Sequence, residues 1–421
     1  MSITSLELAN FKSFKDINVS LGDYNVLIGG NASGKSNFIQ IFKFIKDISQ
    51  YGLDNAISMQ GGLEYFKNIN LDFSEIFSIE INFSDSHEGL ILNKNFKGKY
   101  IGLKAIGFSY KFKLNFSKSN KKYKIIEDVL ERDIEIWELA KSNKQLDKKT
   151  KLGMAKEVIK LSKGHLVYDF SCPELKFIED DFKKTMGIAL GKLKMPSKML
   201  ILETPIISIF NPYRKIFDEI SIYDFDTRIP KRAVPITGKT ELEEDGSNLS
   251  IVLKNIIGNK EKKRKFSNLI KDVLPFVNMI DVQKFDDKSM LFKMKENYIN
   301  RYIPASLLSD GTINIVALIV ALYFEKKSII ILEEPERNIH PALISKLMNM
   351  VKDASRNKQI IITTHNPEIV RFTDSDHLYL MSRDKNGFSR LSRPIENEEV
   401  REFLKAEMGI EQLYIENMLD A

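Results

Sequence analysis

Among 421 residues there is one cysteine and one tryptophan. Cys172 alone cannot close an intramolecular disulfide, which excludes a disulfide-stapled secreted domain and fits a reducing, cytoplasmic setting. Long apolar runs are also missing. None approaches the ~18–20 residues of a membrane helix, and Met1 leads straight into strand-like sequence, so neither a membrane partner nor a secretory leader is expected. No apolar heptad is sustained, which argues against a long coiled-coil arm. Histidine is sparse at five, and no Cys/His cluster has zinc spacing. His87, His165 and His377 have no setting that points to chemistry. Neither sign of charge dominates: 63 Lys and Arg face 57 Asp and Glu, a net +6. That balance permits nucleic-acid contact without arguing for it. What is present is 43% hydrophobic residues, enough for a large core in two or three units or one elaborated α/β domain.

The most specific stretch is Gly29-Gly30-Asn31-Ala32-Ser33-Gly34-Lys35-Ser36, which fits G-x-x-x-x-G-K-[ST]. Val26-Leu27-Ile28 before it reads as a buried strand, and Phe38, Ile41, Phe42 and Ile45 behind it recur at helical spacing. A glycine loop between strand and helix is an anion cradle, because backbone N–H groups and the positive end of the helix dipole face one point. There Lys35 reaches the β- and γ-phosphates of ATP, and the Ser36 hydroxyl ligates Mg²⁺. The alternative is a glycine turn that carries Lys-Ser by chance, which average residue usage produces in about one such chain in a hundred.

Two further apolar runs supply candidate chemistry. Ser328 to Leu332 reads as a central parallel strand buried on both faces, and it ends in Glu333-Glu334-Pro335. Two carboxylates at the end of a buried strand are costly unless they serve a cation or a proton transfer. The spacing predicts that Glu333 completes the Mg²⁺ site begun by Ser36, and that Glu334 is the general base for an attacking water. Ile360-Ile361-Ile362 runs into Thr363-Thr364-His365, placing a histidine where parallel sheets present ligands. Leu308-Ser309-Asp310-Gly311-Thr312 opens a long apolar helix, with Ser309 as N-cap and a second anion-binding helix end beside Gly311. One ATP does not need two cradles from one chain. Two copies facing each other use both.

Other stretches leave alternatives open. Asn10-Phe11-Lys12-Ser13-Phe14 is either a phosphate or ribose contact or a polar hairpin tip. Gln60, in the turn-rich stretch Gly52 to Gly62, is either a sensor of Mg²⁺ and the γ-phosphate or a solvated loop residue. Alternation from Ile76 to about Phe116 predicts antiparallel strands. Residues 118–200 are lysine-rich with irregular helical periodicity and are expected to form a helical insertion. The basic runs Lys118 to Lys124 and Lys260 to Lys265 are soluble faces or contacts to DNA or a partner. Gly246-Ser247-Asn248 reads as a helix entry with Ser247 as cap.

Taken in order, these pieces resemble the ATP-binding-cassette ATPases of the SMC, Rad50 and RecF branch. Within it they are most similar to predicted AAA family ATPases of anti-phage and restriction-linked operons, relatives of the overcoming-lysogenization-defect ATPases. The matching residues are Asn10 to Ser13, the loop Gly29 to Ser36 followed by Asn37, Asp245 to Leu249, Leu308 to Thr312, Glu333 to Pro341, and Thr363 to Pro367. The resemblance implies an α/β fold: an ABC/RecF-like P-loop NTPase with a mixed central sheet, an antiparallel β-subdomain and the helical insertion. The head is then built from residues 1–84 and 226–421, with 85–225 inserted. It also implies that Lys12 and Ser13 border the nucleotide, and that Ser309 and Gly311, with Asp310 between them, contact ATP on a second copy. Glu336 to His340 would lie at the dimer interface, and His365 would act as the switch histidine. Long coiled-coil arms, known in relatives, are not expected, and neither is a C-terminal TOPRIM nuclease domain in the stretch after His365. The expected role is therefore an ATP-hydrolysing dimeric switch that controls a separate effector or nuclease chain in anti-phage defence. The alternative is a RecF-like ATPase that acts on duplex DNA without an effector.

Overall fold

The computed structural model describes residues 1–84, 92–96, 99–117, 122–142, 145–204, 217–284, 286–406, 408–416 and 418–419. The chain forms two compact units. One comprises Met1–Gly22, Gln40–Asp218 and Arg383–Arg390; the other comprises Asp23–Ile39, Glu219–Ser382 and Leu391–Ala421.

The chain opens with β1 (Ser2–Phe11) and β2 (Phe14–Ser20) in the first unit, crosses to the second for β3 (Tyr24–Ile28), and returns along helix α1 (Lys35–Tyr51). Two short helices follow, α2 (Leu53–Met59) and α3 (Leu63–Phe66). Then come β4 (Phe77–Ser84), β5 (Leu92–Phe96), β6 (Lys99–Ser117), β7 (Lys122–Ser142), β8 (Gln145–Ser162), β9 (His165–Ser171) and helix α4 (Lys176–Gly191). Their eight-stranded sheet runs β2-β1-β4-β6-β7-β8-β9, with β5 on β6. It is antiparallel throughout. Alternation builds its inner face. Along β4, Phe77, Ile79, Ile81 and Phe83 are buried while their neighbours are half-buried. Phe11, Phe44, Phe66, Phe77 and Phe112 pack into one aromatic cluster, with ring centroids 4.8 Å apart for Phe44–Phe66 and for Phe66–Phe77. Aromatic rings bury large areas, so this cluster is a principal source of hydrophobic stability in the unit.

The expected helical insertion over 118–200 is instead mostly sheet. Strands β7, β8 and β9 lie between 122 and 171, and among the described residues of this stretch only α4 is helical. The sequence hid this because polar residues sit at inward positions: Asp128 and Arg132 on β7, and Glu157 on β8, are buried. Arg132 and Glu157 face each other across the strands as an ion pair. Bulges at Ile136/Trp137 and Glu138/Leu139 break the alternation further. Lysines of the expected helical stretch are cross-strand partners, such as Lys151 with Glu135 at 2.9 Å and Lys156 with Glu131 at 2.6 Å. Leu200 to Phe210 is apolar and strand-like in sequence, but it opens with a 3-10 turn at Ile201–Glu203. Its remainder beyond residue 204, and residues 118–121 of the first basic run, lie outside the described residues.

The second unit holds β10 (Ile220–Tyr223), β11 (Val234–Pro235), helices α5 (Leu249–Gly258) and α6 (Lys260–Val273), and the hairpin β12 (Val277–Lys284) and β13 (Ser289–Glu296). These are followed by β14 (Tyr302–Pro304), α7 (Asp310–Tyr323), β15 (Ile329–Glu333), α8 (Ile344–Ser355), β16 (Gln359–Thr364) and α9 (Pro367–Arg371). The chain ends with β17 (Leu378–Arg383), β18 (Ser389–Ser392), α10 (Glu398–Lys405) and α11 (Ile410–Ile415). The central sheet runs β10-β15-β16-β3-β17-β18. Its first five strands are parallel. Ile329, Ile330 and Ile331 of β15 and Ile360, Ile361 and Ile362 of β16 have no exposed surface, as strands covered on both faces require. Helix α7 is apolar nearly all round and accordingly buried along its length. The second basic run opens α6, whose cap is Asn259. Ser247 is not the cap of α5. Asn248 holds that position, and its side chain ties down the preceding loop: Oδ1 accepts from Glu243 N at 2.9 Å, and Nδ2 donates to Lys239 O and Glu241 O at 2.9 and 2.7 Å.

Candidate functional site

Register brings the site together. Leu27 of β3 stands opposite Thr363 of β16, which stands opposite Glu333 of β15. The loops that leave these three parallel strands at their C-terminal ends are therefore neighbours. The glycine loop is one of them. Ala32 and Gly34 take left-handed backbone with φ of 62° and 120°, the second open only to glycine at low cost. The turn closes with Ser33 N donating to Gly30 O at 3.3 Å, and Phe38 N donates to Gly34 O as α1 begins. Lys35 is buried, and its Nζ folds back onto the carbonyls of Gly29 and Gly30 at 2.7 and 2.9 Å. Burial lowers its pKa, against the opposing pull of Glu334, Glu333 and Glu336. Asn31 is an exposed tip of the loop, and Asn37 lies on the first turn of α1.

Ser36 Oγ donates to Glu333 Oε1 at 2.6 Å. A hydroxyl and a carboxylate oxygen thus converge, the hard donor set that suits Mg²⁺ sharing its shell with phosphate and water. Among the described residues no three His, Cys, Asp or Glu side chains cluster as a metal cage.

Glu334 is held in a strained backbone with φ of 44°, a state that costs about 1–3 kcal/mol and persists only when its surroundings enforce it. Its N–H donates to Thr363 O at 2.9 Å, and its own carbonyl accepts from Arg337 N at 3.0 Å. His365 Nδ1 lies 2.6 Å from Glu334 Oε1, so the ring nitrogen donates when the carboxyl is ionised. Arg337 Nη2 donates to Glu334 Oε2 at 3.2 Å, while Nη1 donates to Asp224 Oδ1 at 2.8 Å. Burial pushes the Glu334 carboxyl up, but the hydrogen bonds and charges of His365 and Arg337 outweigh it and hold the group below its ordinary value. Glu336 behaves oppositely. It is buried, Thr364 Oγ1 donates to its Oε1, and burial raises its pKa.

Ser309 caps α7, accepting from Thr312 N at 3.2 Å. A Cβ at Gly311 would lie 2.5 Å from the Asn338 carbonyl oxygen, so only glycine lets this helix start approach the loop after β15. Asp310 Oδ1 pairs with Lys231 Nζ at 2.5 Å. Within the second unit, then, the glycine loop, Glu333, Glu334 and His365 are joined by direct contacts, and the Ser309-Asp310-Gly311 turn abuts the loop that carries Arg337.

Lys12, Ser13 and Gln60 belong to the first unit. Lys12 and Ser13 form the two-residue tip of the β1–β2 hairpin, closed by the Phe11–Phe14 pair. Lys12 Nζ donates to the backbone carbonyl of Gln60 at 3.4 Å. Ser13 Oγ shares a hydrogen bond with Ser389 Oγ at 2.8 Å. Gln60 is not a solvated loop residue: it is 5% exposed, and its amide donates to Gln40 Oε1 at 3.2 Å.

Three contributors were not expected beside Glu334. The resemblance puts Arg337, within Glu336 to His340, at a dimer interface, and Asp224 is an ordinary charged residue until the turn at Glu334 brings the two together. Asn314 left a signal: a polar residue inside an apolar helix must find partners. Its Nδ2 donates to Pro335 O and Arg337 O at 3.0 and 2.6 Å, tying α7 to the loop after β15.

The family profile described as AAA ATPase domain (AAA_15) matches residues 1–370. Over 58 residues the chain is 31% identical to a protein named Endonuclease GajA from Bacillus cereus (strain VD045). That stretch is 13% of this chain, and the chain spans about a tenth of that relative's length. Among solved structures, the chain is similar to an SMC head bound to the C-winged helix domain of ScpA: 14% identity, TM-score 0.50, covering 93% of this chain and 98% of that one. An Smc head domain from Pyrococcus furiosus with an extended coiled coil aligns at 12% identity and TM-score 0.49, covering 96% and 99%. The first of these likenesses shows the fold, that of the SMC head.

Proposed function

Because the chain belongs to the AAA ATPase domain family, we propose that it binds and hydrolyses ATP at the site built on β3, β15 and β16, and that two copies close on the nucleotide as a switch. The observation that carries this reading is the 2.6 Å contact between Ser36 and Glu333, beside a Glu334 that His365 and Arg337 hold ionised.

In this mechanism the glycine loop holds the phosphates with backbone N–H groups, and Lys35 leaves its carbonyl partners for the β- and γ-phosphates. Ser36 and Glu333 would hold Mg²⁺, which neutralises charge on the phosphate oxygens. Glu334 accepts a proton from water as the water oxygen bonds to the γ-phosphorus and the bond to the β–γ bridging oxygen breaks. ADP and phosphate leave. Ser309 and Gly311 serve the ATP of the facing copy, so loss of the γ-phosphate removes what joins the two. The effector is proposed to be a separate chain, with nuclease activity the class favoured by the short likeness to a protein named an endonuclease.

Phosphate release by wild type, Lys35→Ala and Glu334→Gln tests the catalytic reading. Lys35→Ala should lose nucleotide binding, whereas Glu334→Gln should bind MgATP and turn over at least about 100-fold more slowly. Undiminished turnover by Glu334→Gln would overturn it. Purifying Glu334→Gln with MgATP from its host tests the output. A stoichiometric protein partner supports the switch, and duplex DNA alone supports a RecF-like role.

A further inference from the structure

Arg337 has an environment that stability does not explain. Its side chain is 43% exposed, and Asp224 and Glu334 are 52% and 23% exposed. Ion pairs in such surroundings contribute only about 0–1 kcal/mol to folding. The geometry is nonetheless closely determined. The backbone of Arg337 is fixed from two sides, by its N–H on Glu334 O at 3.0 Å and by its carbonyl on Asn314 Nδ2 at 2.6 Å. From that fixed point the guanidinium divides. One nitrogen is anchored on Asp224, just past the end of β10, and the other lies on Glu334 Oε2. His365 takes the other carboxylate oxygen. A carboxylate restrained at both oxygens has its plane set. A base must be aimed within hydrogen-bond reach of the proton it takes.

We propose that Arg337, anchored by Asp224, is a positioning residue that aims the Glu334 carboxylate at the attacking water. The inference rests on the reading of Glu334 as general base. It also gives Asn314 a role: the helix that begins at Ser309-Asp310-Gly311 holds the residue that aims the base, so engagement at that helix start and orientation of Glu334 share one rigid connection. A lysine at 337 keeps the charge but has one nitrogen where two are needed to span both carboxylates.

The test is steady-state turnover of MgATP with nucleotide affinity and melting temperature measured on the same preparations. Arg337→Gln should lower kcat about tenfold or more, since it disturbs a step worth 10²–10⁴-fold in rate, while nucleotide Kd stays within about twofold. Arg337→Lys should remain impaired. Asp224→Asn should lose kcat in the same direction but less, and the double variant should be no slower than Arg337→Gln. Unchanged kcat in Arg337→Gln, full recovery by Arg337→Lys, or a loss that follows Kd or melting temperature instead of kcat would each overturn the proposal. Glu334→Gln in the same assay separates the two ideas. If it still turns over, the base assignment itself falls and this inference with it. If it is inactive while Arg337→Gln is unaffected, only the positioning role falls.

Discussion

One backbone oxygen dictates the glycine at 311. With the Asn338 carbonyl 2.5 Å from where a Cβ would stand, Gly311→Ala must push the loop after β15 away from α7. Overpacking of this kind costs about 1–3 kcal/mol, and here it displaces the segment that carries Arg337. Gly311→Ala should therefore lower both the urea midpoint and ATP turnover; a variant with an unchanged midpoint would contradict the packing argument. Asn314→Leu probes the same junction from the helix side. It leaves the Pro335 and Arg337 carbonyls without their donor, at a cost of about 1–3 kcal/mol read from denaturant unfolding. At this scale the sequence was most legible where chemistry demands fixed residues at fixed spacing. The glycine loop, Glu333-Glu334 and His365 stood out because each closes a buried strand or a helix start. Arg337 and Asp224 did not, because they lie 113 residues apart and only the turn at Glu334 joins them.

Among the elements, the long strands β7 and β8 lack a strand's usual alternation because they bury charged groups, and one of these is testable. Asp128 faces inward from β7, where Tyr110 Oη donates to Oδ1 at 2.9 Å and Ile201 N donates to Oδ2 at 2.6 Å. Burial raises its pKa from 3.8 to about 7, with those two hydrogen bonds only partly opposing. The folded state thus favours the protonated carboxyl. Its contribution to stability is complete below the unfolded value, erodes as pH rises, and is lost above about 7. Asp128→Asn stays neutral throughout. Wild type should lose stability between about pH 4 and 7 relative to this variant, by an amount on the order of a few kcal/mol at full ionisation. Parallel unfolding curves for the two proteins across that range would count against a buried titrating Asp128. The parallel core strands, by contrast, were legible throughout, because runs such as Ile329 to Leu332 are covered on both faces and need no alternation.

For the whole molecule, the fold is that of the SMC head, and the parallel strands of the second unit carry the glycine loop, the paired glutamates and the histidine. The first unit places Lys12 and Gln60 on each other and supplies the large antiparallel sheet. Alternation foretold its strands β4 and β6, but not β7 to β9, where charges are spent on cross-strand pairs and not on a solvated helix face. A switch needs two states whose balance the γ-phosphate shifts. In the proposed switch the helix start at Ser309 and the glycine loop serve as two cradles, and a dimer that sandwiches ATP would use both. The solution mass of Glu334→Gln, with and without MgATP, measures this most directly, with Lys35→Ala under MgATP as the control. The account predicts twice the chain mass for Glu334→Gln with MgATP and a single chain in the other two samples. A Glu334→Gln variant that binds MgATP and remains a single chain would contradict it.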